Sequence, residues 1–85
     1  MPRVEIFSSP YCPYCHRAKA LLDRKGVAYE EINVALDPSR RSEMMKRSGG
    51  QHTVPQIFVD GEHIGDCDGI HMLDRRGELD SLLRD

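Results

Sequence analysis

The 85-residue sequence lacks long hydrophobic runs, since no apolar stretch exceeds three residues. A membrane-spanning helix needs about 20 consecutive apolar residues, so the sequence predicts none. The first five residues, Met1 to Glu5, also lack the apolar stretch of a secretion signal. From these two absences we expect a cytoplasmic protein that does not bind membranes.

The sequence also lacks an excess of basic charge and any nucleotide-binding loop. Twelve Lys and Arg residues against fourteen Asp and Glu residues give a net charge of −2. This balance disfavours a general nucleic-acid binder, because such a protein presents a basic face to the phosphates. Because neither a Walker loop nor a G-x-G-x-x-G segment is present, no nicotinamide, flavin or nucleotide site is predicted. Any redox chemistry must therefore use side chains or a small soluble partner.

Apolar periodicity and turn residues predict seven secondary-structure elements. Strands are predicted over residues 3–7, 27–34, 55–59 and 63–65. Two helices are predicted over residues 13–25 and 38–48, the second with Asp37 as its N-cap. A last helix is predicted to be capped by Asp68 and closed by Gly77, and a short amphipathic tail follows it.

The apolar spacing also predicts which helix residues are buried. The first helix is expected to bury one face, which carries Tyr14, Ala18, Leu21 and Leu22. The apolar face of the second helix is thin and consists mainly of Met44 and Met45. The amphipathic tail contributes three leucines, which are Leu79, Leu82 and Leu83.

The order of these elements indicates an α/β fold in a single domain over residues 1–85. The first strand, helix and strand form a βαβ unit, whose crossover is expected to be right-handed. The Asp60-Gly61 pair is a hairpin signal, so the last strand is predicted to pair back in the antiparallel direction. The sequence thus predicts a mixed four-stranded sheet with helices on both faces.

Cysteine is scarce but is placed where it can react. Cys12 and Cys15 enclose Pro13 and Tyr14, at the point where the first strand leads into the first helix. A C-x-x-C beside a βαβ pattern is typical of thiol redox proteins. The unpaired N–H groups and the dipole of a helix N-terminus favour the nucleophilic thiolate form of Cys12. Cys15 lies nearly one turn further on the same face, so the pair can close a disulfide.

Two other uses of these cysteines are less favoured. A structural disulfide across so short a loop would restrict the unfolded chain by only about 2 kcal/mol, and such disulfides are rare in the cytosol. A zinc site needs four ligands, normally in two close pairs, and the sequence has one such pair. Cys67 and the scattered histidines are the only possible completions, so no metal site is predicted. His16, beside Cys15, is predicted to be an exposed helix residue rather than a general base.

Three blocks of the sequence resemble the dithiol glutaredoxins of the small bacterial type, which have the thioredoxin fold. The blocks lie in the family's order and spacing, and they are Cys12-Pro13-Tyr14-Cys15 with His16 to Lys19, Thr53 to Phe58, and Ile64-Gly65 with Cys67-Asp68. The resemblance implies a glutathione-dependent thiol–disulfide oxidoreductase with Cys12 and Cys15 as its catalytic residues. Its partners would be glutathione and disulfide-bearing or glutathionylated proteins. It would act as a monomer with no bound cofactor, and glutathione would be a co-substrate.

The same resemblance implies a glutathione site formed by Tyr14, Thr53, Val54, Pro55, Gly65, Cys67 and Asp68. Pro55 would be cis and would face the dithiol. The backbone of Val54 would bind the cysteine of glutathione as an added strand does. The turn from Gly65 to Asp68 would bring the N-terminus of the last helix to the γ-glutamyl carboxylate.

The sequence departs from the family pattern around this site. Ser9 lies in a turn where many relatives carry a lysine, Asp66 replaces a second glycine, and Gly69 replaces the second residue of an acidic pair. The first two changes act against an anionic ligand. An alternative function is an iron–sulfur carrier that holds a cluster between two subunits through Cys12 and glutathione. Cys15 and Pro13 disfavour that alternative, and a visible absorption band after anaerobic purification would indicate it.

Overall fold

The computed structural model describes residues 2–84, so the two ends of the predicted domain, 1 and 85, lie outside the described residues. The elements in chain order are β1 (Val4–Ser8), α1 (Pro13–Arg24), β2 (Glu30–Asn33), α2 (Pro38–Arg47), β3 (Gln56–Val59), β4 (Glu62–Gly65), α3 (Cys67–Arg75) and α4 (Leu79–Leu82). This order confirms the seven predicted elements. The predicted apolar tail forms the additional short helix α4.

The four strands form one mixed sheet in the order β2-β1-β3-β4. β1 pairs with β2 in parallel and with β3 in the antiparallel direction, and β3 pairs with β4 in the antiparallel direction. Asp60 and Gly61 have φ values of 51° and 84° at the tip of the β3–β4 hairpin. A tight two-residue hairpin turn requires positive φ at both positions, so the predicted turn is confirmed.

The sheet carries an apolar cluster on each face, as predicted. On one face, residues of β1 and β3 pack with α1, α3 and α4 in a cluster that includes Ile6, Leu21, Leu22, Ile57, Ile70 and Leu79. On the other face, Met44 of α2 packs with a smaller cluster of Phe7, Ile32, Val34 and Phe58. Within residues 2–84, none of the helices combines the length and the apolar character that crossing a bilayer demands.

One carboxylate is buried in the sheet beneath α2. The side chain of Glu5 is only 3% exposed, and the Arg47 guanidinium donates to its Oε1 at 2.7 Å. This hydrogen bond lowers the pKa of Glu5 despite the opposing effect of burial. Arg47 also lies 4.4 Å from the centre of the Phe58 ring. The pair therefore attaches α2 to the sheet without leaving an unpaired buried charge.

Three local predictions were wrong. β2 spans Glu30–Asn33 rather than 27–34, because its partner β1 offers pairing positions only from Glu5 to Ser8. Tyr14 is 55% exposed, and Cys15 takes the buried position on that face of α1, because the first turn borders an open cleft. On α2, Met44 is buried but Met45 is 37% exposed, since α2 covers the sheet with only a narrow face.

The N-cap of α3 is also not the predicted residue. Asp66, in extended conformation, caps the helix, and its Oδ1 accepts the Gly69 N–H at 2.8 Å. The predicted cap, Asp68, lies in the first turn instead. β4 ends at Gly65 and helical geometry begins at Cys67, so the cap, Asp66, is the one residue that joins the two elements. The prediction for α2 is confirmed, since Asp37 caps it and accepts the Ser39 N–H at 3.0 Å.

Candidate active site

Cys12 is the N-cap residue of α1, and its sulfur is the hydrogen-bond acceptor of the cap, whereas most caps use an oxygen. Its backbone is extended, with φ −110° and ψ 110°, and Pro13 starts the helix. The Cys12 Sγ accepts the N–H of Cys15 at 3.2 Å. Because this donor and the helix dipole both favour negative charge, the position stabilises a thiolate. The side chain is partly exposed, so the sulfur is open to a reaction partner.

Cys15 differs sharply from Cys12 in its surroundings. It is fully buried, with 0% of its surface exposed. Burial and, next, the hydrogen bond with Cys12 raise the pKa of Cys15 to about 12. Both residues are free thiols in the structure. The dithiol therefore combines one accessible sulfur on a helix N-terminus with one protonated sulfur behind it.

A cleft of about 270 Å³ lies between the start of α1, the loop before β3 and the start of α3. It is lined by Tyr14, Thr53, Val54, Pro55, Asp66, Cys67 and Asp68. The Val54–Pro55 peptide bond is cis, as the family resemblance implies. The Cys12 thiol lies at the Val54 side of the cleft and donates to the Val54 carbonyl oxygen at 3.6 Å. Six of the seven residues predicted to bind glutathione thus lie around one cleft, beside the accessible sulfur.

Gly65, the seventh predicted residue, does not line the cleft but shapes its wall. Its φ is 145°, a conformation that other residues rarely adopt. A Cβ atom at this position would come within 3.2 Å of the Gly69 Cα. Gly65 therefore allows the end of β4 to approach the first turn of α3 closely, and this approach brings Asp66 and Cys67 to the cleft.

The N-terminus of α3 is already partly occupied by a side chain of this chain. The Asp66 carboxylate caps it, which the sequence analysis did not predict, and Asp66 itself lines the cleft, as expected from its place in the turn before α3. Cys67 is 3% exposed, and burial raises the pKa of its thiol. Its sulfur lies 3.6 Å from Nδ1 of His71, one turn further along α3. Cys67 is therefore almost fully buried at the helix start, although it forms part of the cleft wall.

A buried amide network supports the loop before β3, and the sequence analysis missed it. Gln56 is fully buried, and its Nε2 donates to the Thr53 carbonyl oxygen at 3.0 Å. The Gln56 Oε1 lies 2.6 Å from Nε2 of His63 on β4. Burial lowers the pKa of His63, which favours a neutral ring that donates to this amide oxygen. The available signal was one polar residue at the start of the otherwise apolar stretch from Gln56 to Val59.

The sequence analysis also considered His16 as a general base and a metal site. His16 is exposed, as predicted, and its Nε2 lies 3.1 Å from the Pro10 carbonyl oxygen. Among residues 2–84, there is no group of three or more His, Cys, Asp or Glu side chains that could hold a metal ion.

Several known proteins similar to this chain belong to one family. The glutaredoxin family model matches residues 4–64. Glutaredoxin 3 of Escherichia coli (strain K12) is 55% identical over 84 residues, which cover 99% of this chain and 100% of that protein. A glutaredoxin of Pseudomonas aeruginosa is 48% identical, with 98% of each chain covered.

Solved structures agree with these matches. The solution structure of glutaredoxin from Brucella melitensis is 51% identical, with a TM-score of 0.85 over 98% of this chain and 89% of that one. A crystal structure of a buckwheat glutaredoxin–glutathione complex is 34% identical, with a TM-score of 0.87 over 96% of this chain and 76% of that one. The fold is therefore thioredoxin-like, as the resemblance implied. Sequence, fold and matched length together establish that the chain belongs to the glutaredoxin family.

Proposed function

We propose that Cys12 and Cys15 divide the work of the reaction between them. As a glutaredoxin, the chain is a glutathione-dependent thiol–disulfide oxidoreductase. The observation that carries the assignment is the position of Cys12, whose partly exposed sulfur accepts a helix N–H at 3.2 Å. Cys15 is buried and protonated at neutral pH, so Cys12 is the nucleophile.

In the first step, the Cys12 thiolate attacks one sulfur of a substrate disulfide. The bond from Cys12 to that sulfur forms as the substrate S–S bond breaks, and the other sulfur departs as a thiolate. The product is a mixed disulfide on Cys12. The N–H of Cys15 supports the negative charge on Cys12 before the attack.

Two routes then release the mixed disulfide. When Cys12 holds glutathione, a second glutathione attacks, which yields oxidised glutathione and restores the Cys12 thiolate. When Cys12 holds a protein, the Cys15 thiolate attacks Cys12, which releases the reduced protein and leaves a Cys12–Cys15 disulfide. Two glutathione molecules then reduce that disulfide. Glutathione thus acts as co-substrate, and the cycle needs no resident cofactor.

We place glutathione in the cleft beside Cys12. Tyr14, Thr53, Val54, Pro55, Cys67 and Asp68 would bind it, and Gly65 would keep the first turn of α3 in position. Support comes from the cleft itself, which these six residues line together, and from the crystal structure of a relative described as a complex with glutathione. The Val54 backbone would pair with the peptide, and the α3 N-terminus would meet its γ-glutamyl carboxylate.

The remaining proposals concern the setting of this activity. We propose that residues 1–85 are one domain and that the protein acts as a cytoplasmic monomer. Its substrates would be protein disulfides and glutathionylated proteins, without nucleic acid or membrane. The net charge of −2 supports the exclusion of nucleic acid.

A coupled assay tests the proposed function. The protein is given a mixed disulfide of glutathione and a small thiol, with glutathione, glutathione reductase and NADPH as the electron supply. We expect turnover with this supply and little or none when thioredoxin reductase and NADPH replace it. Equal turnover with both supplies, or turnover with thioredoxin reductase alone, would contradict the proposal.

A further inference from the structure

The resolving step has an electrostatic difficulty at Cys15. To attack the mixed disulfide, Cys15 must become a thiolate, although it is fully buried and α1 has its N-terminal N–H groups nearer to Cys12. A buried anion needs a nearby positive charge or hydrogen-bond donors to offset the loss of water. The residues around Cys15 must therefore supply part of that stabilisation.

Lys19 is the cation of α1 whose charge acts on Cys15. The two residues are four apart, so they are neighbours on one face, separated along the axis by about 6 Å. Helix side chains lean towards the N-terminus, which directs the lysine towards the turn that carries Cys15. Burial has the largest effect on the pKa of Cys15 and raises it, whereas a backbone hydrogen bond from Ser9 and, to a smaller extent, the field of the Lys19 ammonium lower it. Cys12 lies seven residues from Lys19, about 10 Å along the axis.

Two polar side chains of the sheet hold Lys19 in place. Its Nζ donates to Glu31 Oε2 at 2.9 Å, and the Ser8 hydroxyl donates to the same oxygen at 2.7 Å. Ser8 is buried at the end of β1, and the Lys19 side chain is only 18% exposed. The Glu31 hydrogen bond raises the pKa of Lys19, which favours the charged ammonium. A surface lysine without such partners would sample many positions.

We propose that Lys19 is a positioning residue for the resolving step, where its ammonium, held by Glu31 and Ser8, stabilises the Cys15 thiolate as it attacks the mixed disulfide. This inference rests on the proposed function, in which Cys12 is the nucleophile and Cys15 the resolving thiol. Lys19 would act on the dithiol route. It would have little effect on the attack by Cys12, because Cys12 is farther from the ammonium and solvent screens the interaction.

The step balances without an added oxidant or reductant. Cys15 loses its proton, and its thiolate forms a bond to the Cys12 sulfur. The bond between Cys12 and the substrate sulfur breaks, and the substrate thiolate leaves with the electron pair and takes up one proton. The two cysteines of this chain are oxidised to a disulfide and the substrate is reduced. Lys19 keeps its own proton throughout.

A rapid-mixing experiment distinguishes the reaction of Cys12 from that of Cys15 in one sample. A substoichiometric symmetrical aromatic disulfide releases one coloured thiol when Cys12 attacks and a second when Cys15 resolves the mixed disulfide. In Lys19→Gln, which keeps a donor for Glu31 but removes the charge, we expect the second phase to slow by about three- to tenfold. We expect the first phase to change by less than about twofold, and Lys19→Arg to restore most of the second-phase rate.

The matched control is Lys46→Gln, which removes the same charge from an exposed position on α2. Its two phases should match those of the unmodified protein, and thermal unfolding should show that each variant is folded. An unchanged second phase in Lys19→Gln, equal slowing of both phases, or failure of Lys19→Arg to restore the rate would overturn the role of Lys19. A second phase that persists in Cys15→Ser would instead overturn the proposed function, because another group would then be the resolving nucleophile.

Discussion

The N-termini of α1 and α3 border the same cleft, but they are capped by different chemistry. The N-cap of α1 is Cys12, whose sulfur accepts the Cys15 N–H at 3.2 Å. The N-cap of α3 is Asp66, whose carboxylate accepts the Gly69 N–H at 2.8 Å. Both helices satisfy one N–H group that would otherwise lack a partner. The first does so with an atom that reacts, and the second with an atom that does not.

A helix N-terminus therefore has two different uses around this cleft. At α1, the charge favoured by the helix dipole resides on Cys12, the proposed nucleophile, so capping and activation would be the same interaction. At α3, the Asp66 carboxylate already accepts one N–H group and offsets part of the positive end of the helix dipole. A carboxylate of the ligand would use the same N–H groups and the same dipole. Under the proposed function, the start of α1 is thus suited to reaction, whereas at the start of α3 the Asp66 carboxylate would weaken anion binding while it caps the helix.

Cys12→Ser should have the largest effect, because it keeps the α1 cap and removes the nucleophile. A serine hydroxyl is a good N-cap acceptor, so the free energy of unfolding should change by less than about 1 kcal/mol. Reduction of both protein disulfides and glutathione mixed disulfides should fall by about 100-fold or more, since a hydroxyl cannot replace a thiolate in disulfide exchange. Both rates and a denaturant titration would be measured on the same preparation.

The result for Cys12→Ser is informative only if the variant folds. Substantial remaining activity in a folded variant would show that another thiol is the nucleophile. A large loss of stability would show instead that the Cys12 sulfur contributes more to the α1 cap than an oxygen can.

Cys15→Ser should separate the two routes. Removal of glutathione from a glutathionylated peptide should continue within about threefold of the original rate, because Cys12 and a second glutathione suffice. Reduction of a protein disulfide should fall by about tenfold or more, because no resolving thiolate remains. Equal losses in the two assays would contradict the division of roles between the two cysteines.

Asp66→Asn should improve glutathione binding at the α3 N-terminus. Asparagine caps a helix about as well as aspartate, so the change removes charge but keeps the acceptor for Gly69. We expect the KM for glutathione to fall by about two- to threefold at low ionic strength, with less improvement in added salt and little change in kcat. Asp66→Gly, which also frees the Gly69 N–H, should give at least the same decrease.

Glu62→Gln is the control for Asp66→Asn, since it removes one negative charge from an exposed position on β4. Its KM for glutathione should match that of the unmodified protein. If Asp66→Asn behaves like this control while Asp66→Gly improves KM, the occupied N–H limits binding rather than the charge of Asp66.

Ser9→Lys should have the smallest effect. It restores a cation in the turn before Cys12, where it can meet the other carboxylate of glutathione. A long, flexible lysine loses side-chain entropy on binding, so we expect the KM for glutathione to fall by only about twofold at low ionic strength. Ser9→Gln supplies a side chain of similar size without charge, and an equal decrease in that variant would exclude an electrostatic cause.

The element order and most helix starts could be predicted because their signals are local. Asp37 before Pro38 and Cys12 before Pro13 mark the beginnings of α2 and α1 within two residues of sequence, and the structure confirms both. The start of α3 could not be predicted in this way. Asp66 and Asp68 are both good caps, and the choice depends on how closely β4 approaches the helix at Gly69, which local propensity does not encode.

The composition of the candidate site was only partly predictable. The C-x-x-C pattern identified Cys12 and Cys15, because the spacing by itself places both at one helix start. The network of Gln56 with Thr53 and His63 escaped prediction, since its partners come from a loop and a neighbouring strand. Likewise, the periodicity of α1 did not distinguish Tyr14 from Cys15 as the buried residue, because both positions lie near the edge of the apolar face.

The dithiol, its position at the start of a helix, and the alternation of strands and helices could all be predicted, because each depends on residues a few positions apart. What the dithiol faces depends on contacts between distant parts of the chain. Cys12 and Val54 are 42 residues apart in the chain and 3.6 Å apart in space. That distance follows from the pairing of β1 with β3, which brings the cis Val54–Pro55 loop beside the start of α1. The burial of Cys15, which raises the pKa of its thiol, also depends on the tertiary structure. It results from the packing of α1 against the sheet.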